Sequence, residues 1–325
     1  MKALVYTGPE KLAYRSVPDP VPATGEVLVR IGRVGVCGSD MHAYLGHDDR
    51  RPAPPILGHE AAGTIVSGKR KGERVTINPL VTCGTCRACV SGRDNLCEVR
   101  AIISMPPREG AFAQFVAMPE RNLVTVPDHV TDAQASLAEP IACGWNAARQ
   151  AIDRVGRGRA LVLGGGPIGL GASLCLAAQG VNDVTVVEPL AARRAYLEDR
   201  CGQDVAAAAT EAGAYDIVVD AVGFAATRKS ASAMARPGGV IVHIGLGDNQ
   251  PGLDTRRLTL QEIAFLGIYT YTAQDFRDTC AALFDGRLGP LDWIEERPLS
   301  EGAQAFSDIR AGRVAAPKII LNPES

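Results

Sequence analysis

Apolar and polar residues alternate in short runs over the first third of the chain. Met1-Lys2-Ala3-Leu4-Val5-Tyr6 and Glu26-Val27-Leu28-Val29-Arg30-Ile31 read as strands, the second with the two-residue period of a half-buried one, and Pro18, Pro20 and Pro22 favour an extended connection between them. Strand-like runs recur at 61–66, 72–75 and 110–116. From about residue 146 the pattern changes. An apolar run at 159–163, a helix-like stretch at 170–179 and a second apolar run at 183–188 begin an alternation that continues through 215–220, a helix to Met234, 239–244 and 263–268. Such alternation predicts a parallel sheet with crossover helices. After about residue 270 follow a helix over 276–284, a loop with Gly286 and Gly289, and a last strand at 318–321. The chain reads as an α/β protein with a β-rich opening.

A length of 325 residues fits two domains. The net charge is −2 and no long run of Lys or Arg occurs, which argues against nucleic acid or a membrane surface and leaves a small molecule as partner. Neither an apolar leader nor a bilayer-spanning run is visible, so a soluble cytoplasmic protein is expected. Nine cysteines, an odd number with four clustered, point to a reducing compartment and metal chemistry.

Cys37-Gly38-Ser39-Asp40-Met41-His42 brings a thiolate, a hydroxyl, a carboxylate and an imidazole within six residues, and Gly58-His59-Glu60 adds an imidazole and a carboxylate. Thiolate, imidazole and carboxylate together suit zinc in a site left open for substrate. Glu139 interrupts an apolar segment, and a carboxylate buried there needs a partner that such a metal would provide. Cys83, Cys86, Cys89 and Cys97 make a closed tetrahedral zinc site with a structural role, an iron–sulfur cluster being the rival.

Gly164-Gly165-Gly166-Pro167-Ile168-Gly169 follows a strand, opens a helix and is trailed by Glu188 at the end of the next strand. That context makes it a dinucleotide fingerprint. Gly164 makes the tight turn, Gly166 lets the backbone approach a pyrophosphate, and Gly169 lets helix and strand close up. Glu188 would accept hydrogen bonds from the adenosine ribose and repel a 2′-phosphate, which favours NAD over NADP, although Arg193 and Arg194 are of the type that accommodates that phosphate.

Taken in order, Cys37-Gly38-Ser39-Asp40, Gly58-His59-Glu60, the four-cysteine lobe, Glu139-Pro140 and the Gly164 fingerprint resemble the zinc-dependent medium-chain dehydrogenases. The acid at Glu139 is similar to the branch of sorbitol, xylitol, galactitol and threonine dehydrogenases. The resemblance implies a GroES-like catalytic domain over 1–143, a Rossmann domain over 144–268 and a return to the first domain over 269–325, with the active site in the cleft between them. It implies two zinc ions per chain, one structural and one catalytic on Cys37 and His59 with Glu60 or Glu139. Asp40 would orient His59, and protons would leave through Ser39 and His42. Lys318 would lie on the cofactor phosphates, Phe115, Thr270 and Tyr271 would wall the substrate pocket, and an edge strand near 263–266 would pair copies into a dimer or tetramer.

The activity so implied is oxidation of a secondary alcohol on a small polyol or sugar-derived substrate by hydride transfer to NAD. Thr270 and Ala43 stand where sorbitol dehydrogenases tend to carry Arg and Tyr, which puts sorbitol itself in doubt. Simple alcohols, threonine, or a sugar-alcohol phosphate drawn to Arg50, Arg51 and Arg108 are the alternatives among enzymes. A zinc-free quinone-reductase-like protein or a non-catalytic NAD-binding protein is the alternative of another class.

Overall fold

Strand Glu26–Gly35 is the spine of the first unit of the fold. A computed structural model describes residues 1–324, and in it this strand buries Val27, Val29, Ile31 and Val34, as the alternation predicts. It lies third in a seven-stranded sheet whose order is Ile294–Pro298, Lys318–Asn322, Glu26–Gly35, Glu60–Ile65, Arg74–Ile77 and Leu123–Thr125, with Phe115–Pro119 pairing alongside its first half. The register slips between Ile31 and Arg33, and strand Glu60–Ile65 continues to pair up to Gly35 opposite Glu60.

The second unit holds six parallel strands in the order Asp204–Ala206, Val184–Val187, Ala160–Leu163, Tyr215–Asp220, Ala235–His243 and Ala264–Gly267. Ala160–Leu163 is buried at every position, the reason its sequence is a continuous apolar run. Helices Pro167–Ala178, Ala191–Cys201, Ala225–Met234 and Thr255–Leu260 link the strands. One face packs Leu161, Leu163, Val218, Ile241 and Ile263 together with Ala231 and Met234 of a covering helix. Strand order reverses between Ala160–Leu163 and Tyr215–Asp220, and ligands of doubly wound sheets bind outside the carboxyl ends of the strands at such a point.

The unit boundaries differ from those expected at 143 and 269. The first unit comprises Met1–Glu139, Phe276–Phe284 and the residues from Ile294 onward, while Pro140–Asp275 and Asp285–Trp293 form the second. Helix Ala138–Val155 therefore starts in one unit and continues in the other. The return is also interrupted, because Leu288, Leu291 and Trp293 are buried and their segment clusters with the second unit. Among the described residues no helix is long and apolar enough to cross a membrane.

Candidate active site and metal centres

Past Gly35 the chain passes Val36 and Cys37 and turns into helix Gly38–Tyr44. Cys37 takes the N-cap position, and its backbone N–H donates to Asp40 Oδ2 at 3.1 Å, so a carboxylate three residues on closes the first turn. Asp40 Oδ1 accepts from the Gly58 N–H at 3.2 Å and lies 3.5 Å from His59 Nδ1. One fully buried carboxylate thus fastens the Cys37 loop to the His59 loop. Burial alone would raise the Asp40 pKa, but the charges of His59 and Arg51 and the Cys37 N–H hold it below the usual carboxylate range. Burial likewise opposes the His59 cation, yet Asp40 and Cys37 raise its pKa well above that of an ordinary imidazole.

The Cys37 sulfur, a His59 ring nitrogen and a Glu60 oxygen lie within 4.8 Å of one another. A thiolate, an imidazole and a carboxylate converging at that range fit one zinc ion with a coordination position left open. Glu60 is the carboxylate in this set; Glu139, buried in the first turn of its helix, lies outside it and acts on Lys318. Ser39 is half-buried and His42 exposed, three residues apart on one helix and so on one face.

Lys318 departs furthest from expectation. The resemblance put it on cofactor phosphates, but its ammonium is buried, donating to the two Glu60 oxygens at 2.7 and 2.6 Å and to the Val36 carbonyl at 3.0 Å. Register is the cause. Strands Lys318–Asn322 and Glu60–Ile65 flank Gly35, which has no side chain to separate them, and a Cβ there would lie 2.1 Å from Glu60 Oε2. Burial would lower the Lys318 pKa, but Glu60, Cys37 and Glu139 together raise it above its ordinary value.

A second buried cation, Arg51, acts on Asp40. Arg51 donates through Nε to the Ser104 carbonyl at 3.0 Å and through Nη1 to the Ser39 carbonyl at 2.8 Å and Asp48 Oδ2 at 3.1 Å. Ser104 Oγ lies 3.4 Å from His59 Nδ1. In the sequence Arg51 is a candidate only for a substrate phosphate, and Ser104 carries no mark of a role here. With Arg51 so engaged, Arg50 bonded to Asp48 and Arg108 2.5 Å from Glu26, the three arginines lend no support to a phosphorylated substrate.

Phe115 does not join the set either. It pairs with Arg30, about 16 Å before Gly35 at strand rise, and lines a groove with Val5, Val17 and Pro20. The aromatic beside the His59 loop is Phe112, whose ring would meet a Cβ on Gly58 at 2.5 Å. In the second unit Thr270 adopts φ +45°, rare for a β-branched residue, and its carbonyl accepts from Asn146 Nδ2 at 2.9 Å. Tyr271 is 1 % exposed.

Cys83, Cys86, Cys89 and Cys97 form the second ligand group, with Sγ–Sγ separations of 3.5, 3.6 and 3.8 Å. A Zn–S bond of about 2.3 Å in a tetrahedron requires sulfurs about 3.8 Å apart, whereas a disulfide requires about 2 Å. The N–H groups of Thr85 and Cys86 lower the Cys83 pKa to about 6, and burial raises that of Cys89 to about 11. The lobe fits a structural zinc.

At the switch point of the parallel sheet Gly164 has φ +98°, a Cβ on Gly169 would lie 1.8 Å from the Gly164 carbonyl oxygen, and one on Gly166 would enter open space. Gly166 caps helix Pro167–Ala178, whose first N–H groups are left for an anion. Ile168 lies in that first turn. Glu188 is buried, with Oε2 accepting from Gly165 N–H at 3.1 Å and Oε1 from Leu190 N–H at 2.9 Å, so it is held against the glycine turn. Arg193 lies on helix Ala191–Cys201, and Arg194 on the same helix donates to the carbonyls of Glu188 and Pro189.

Two family profiles match the chain: the alcohol dehydrogenase GroES-like domain over residues 23–128 and zinc-binding dehydrogenase over 167–285. The chain is 30 % identical to L-galactonate-5-dehydrogenase of Escherichia coli over 305 residues, covering 89 % of this chain and 88 % of that one. It is 32 % identical to sorbitol dehydrogenase of Bacillus subtilis over 293 residues, covering 83 % and 82 %. The solved structure of acetophenone reductase from Geotrichum candidum in complex with NAD superposes with a TM-score of 0.88 at 27 % identity, covering 99 % and 97 %. Both candidate metal-ligand groups fall within the first profile and the helix that follows the glycine turn opens the second, and by these profiles and relatives the chain belongs to the zinc-type medium-chain dehydrogenases of the polyol branch, enzymes that act on a CH–OH group.

Proposed function

We propose that this enzyme is a zinc- and NAD-dependent dehydrogenase oxidising a secondary hydroxyl of a small polyol or sugar-derived alcohol. The observation that carries the reading is the convergence of Cys37, His59 and Glu60 within 4.8 Å. Bound zinc would supply a Lewis acid that brings deprotonation of the hydroxyl within reach near neutral pH, and the dinucleotide a hydride acceptor. Asp40 keeps His59 oriented from behind, an outer contact of the kind that tunes a metal ligand. Ser39 would relay the substrate proton, giving up its own hydroxyl proton through the nicotinamide ribose to exposed His42 on the same helix face, which would release it to solvent. Glu188 supports NAD over NADP, because a carboxylate beside Gly165 N–H disfavours a 2′-phosphate. Strand Ala264–Gly267 is the outer strand of its sheet, with Phe265 exposed, which supports pairing with a second copy into a dimer or tetramer.

The test is nicotinamide reduction by zinc-replete enzyme over a panel of polyols, sugar acids, threonine and simple alcohols, with NAD and NADP in separate series. The reading predicts turnover with a polyol or sugar-derived alcohol and NAD. Turnover confined to threonine or simple alcohols, or to NADP, would contradict it.

A further inference from the structure

Two turns at the carboxyl ends of neighbouring strands in the second unit are locked together, and one buried arginine spans them. Strand Tyr215–Asp220 ends in Ala221-Val222-Gly223, and strand Ala235–His243 in Ile244-Gly245-Leu246-Gly247. Their backbones interlock. A Cβ on Gly223 would lie 2.2 Å from the Gly245 carbonyl oxygen, and one on Gly245 2.2 Å from the Val222 carbonyl carbon. The Gly247 N–H donates to the Val222 carbonyl at 3.1 Å and the Asp248 N–H to the Gly223 carbonyl at 3.0 Å.

Arg228, on helix Ala225–Met234, is 7 % exposed. Its Nη1 donates to the Gly223 carbonyl at 2.7 Å and the Asp248 carbonyl at 3.1 Å, while Nη2 donates to the Asp248 carboxylate and the Gln250 carbonyl. Beneath this clamp His243 Nδ1 lies 3.0 Å from Asp220 Oδ2, and Asp220 Oδ1 accepts from the N–H groups of Val222 and Gly223. A guanidinium withdrawn from water must have its N–H groups bonded, and here they bond to the backbone of two surface turns rather than to a core.

The clamp adjoins the dinucleotide turn. Val222 Cγ2 lies 2.4 Å from where a Cβ on Gly164 would stand, and the two residues sit in the turns that follow the strands between which the sheet order reverses. Phe224 and Leu246, next to the interlocked glycines, are 48 % and 78 % exposed, large apolar side chains on a fastened backbone. We infer that Arg228 is a positioning residue for dinucleotide binding, holding turns 221–224 and 244–250 in the arrangement that turns Phe224 and Leu246 toward the ligand. The inference rests on the dinucleotide reading of the Gly164 turn.

The experiment compares the full-length, zinc-replete wild type with Arg228→Gln, Arg228→Lys and Asp248→Asn. NADH and NADPH affinity is read by fluorescence titration, amide exchange over 221–224 and 244–250, and kcat at saturating cofactor. Arg228→Gln is expected to weaken NADH binding about tenfold or more, as loss of charge-assisted hydrogen bonds does, and to speed exchange in both segments. Arg228→Lys should recover part of the affinity, and kcat should stay within about twofold, since binding lost equally from ground and transition states leaves the rate at saturation unchanged. Wild-type NADH affinity in Arg228→Gln, or unchanged exchange, would overturn the inference. If Arg228→Gln does not fold, Asp248→Asn makes the same comparison with the side-chain shape kept. Failure of the wild type to bind either nucleotide would instead overturn the dinucleotide reading, and this inference with it.

Discussion

Lys318 Nζ lies 2.6 Å from Glu60 Oε2, and the two meet past Gly35 on the strand between them. Both side chains are 1 % exposed. The pair couples the last strand of the chain to the carboxylate that converges with Cys37 and His59.

Removing the cation alone leaves a buried carboxylate without its partner. Lys318→Met is expected to destabilise the metal-free protein by about 3–5 kcal/mol, the usual effect of breaking a buried pair from one side. Zinc should offset much of that loss, because it gives Glu60 another positive partner. Denaturant unfolding of chelated and zinc-loaded protein measures both. An equal loss in the two forms would mean that Glu60 does not interact with the metal.

Gly35→Ala puts a methyl group 2.1 Å from the present position of Glu60 Oε2, so the carboxylate must move. The expected outcome is loss of zinc from the Cys37 group with retention at the four cysteines. Element analysis of the purified variant distinguishes this from general unfolding, in which both would be lost.

Cys97→Ser removes a fully buried ligand from the other group. A closed zinc site contributes folding energy directly, so the lobe around residues 83–97 should lose protection from amide exchange while the Gly164 turn keeps its own. Unchanged protection of the lobe would argue against a structural metal.

The fold and most of the ligand chemistry were legible because the signals are local. The two-residue period of Glu26–Gly35, the apolar run Ala160–Leu163 and the cysteine spacing each depend on neighbours in sequence. What could not be read depends on register between distant strands. Lys318 looks like a lone cation at a strand start until Gly35 is known to stand between it and Glu60. Phe115 looks like a pocket wall until its pairing with Arg30 is known. Arg51 looks solvated beside Arg50, and only folding turns one inward to Ser39 and Ser104 and leaves the other at the surface.

Asp220 gives a pH dependence away from the metal groups. Burial would raise its pKa, but His243 and the Gly223 N–H hold it below its ordinary value. A depressed folded-state pKa contributes stability that is present above the unfolded value of about 4 and is lost as pH falls through the folded one. The stability difference between wild type and Asp220→Asn should therefore be constant near neutrality and shrink below about pH 4. A difference that grows on acidification would contradict the assignment.

The most direct test of the account is zinc content measured together with dehydrogenase activity. Native enzyme is predicted to hold one zinc at each of its two ligand groups, to lose NAD reduction with a polyol when the Cys37 group is emptied by a chelator, and to regain it when zinc is restored. Full activity in protein whose Cys37 group holds no metal would contradict the central claim.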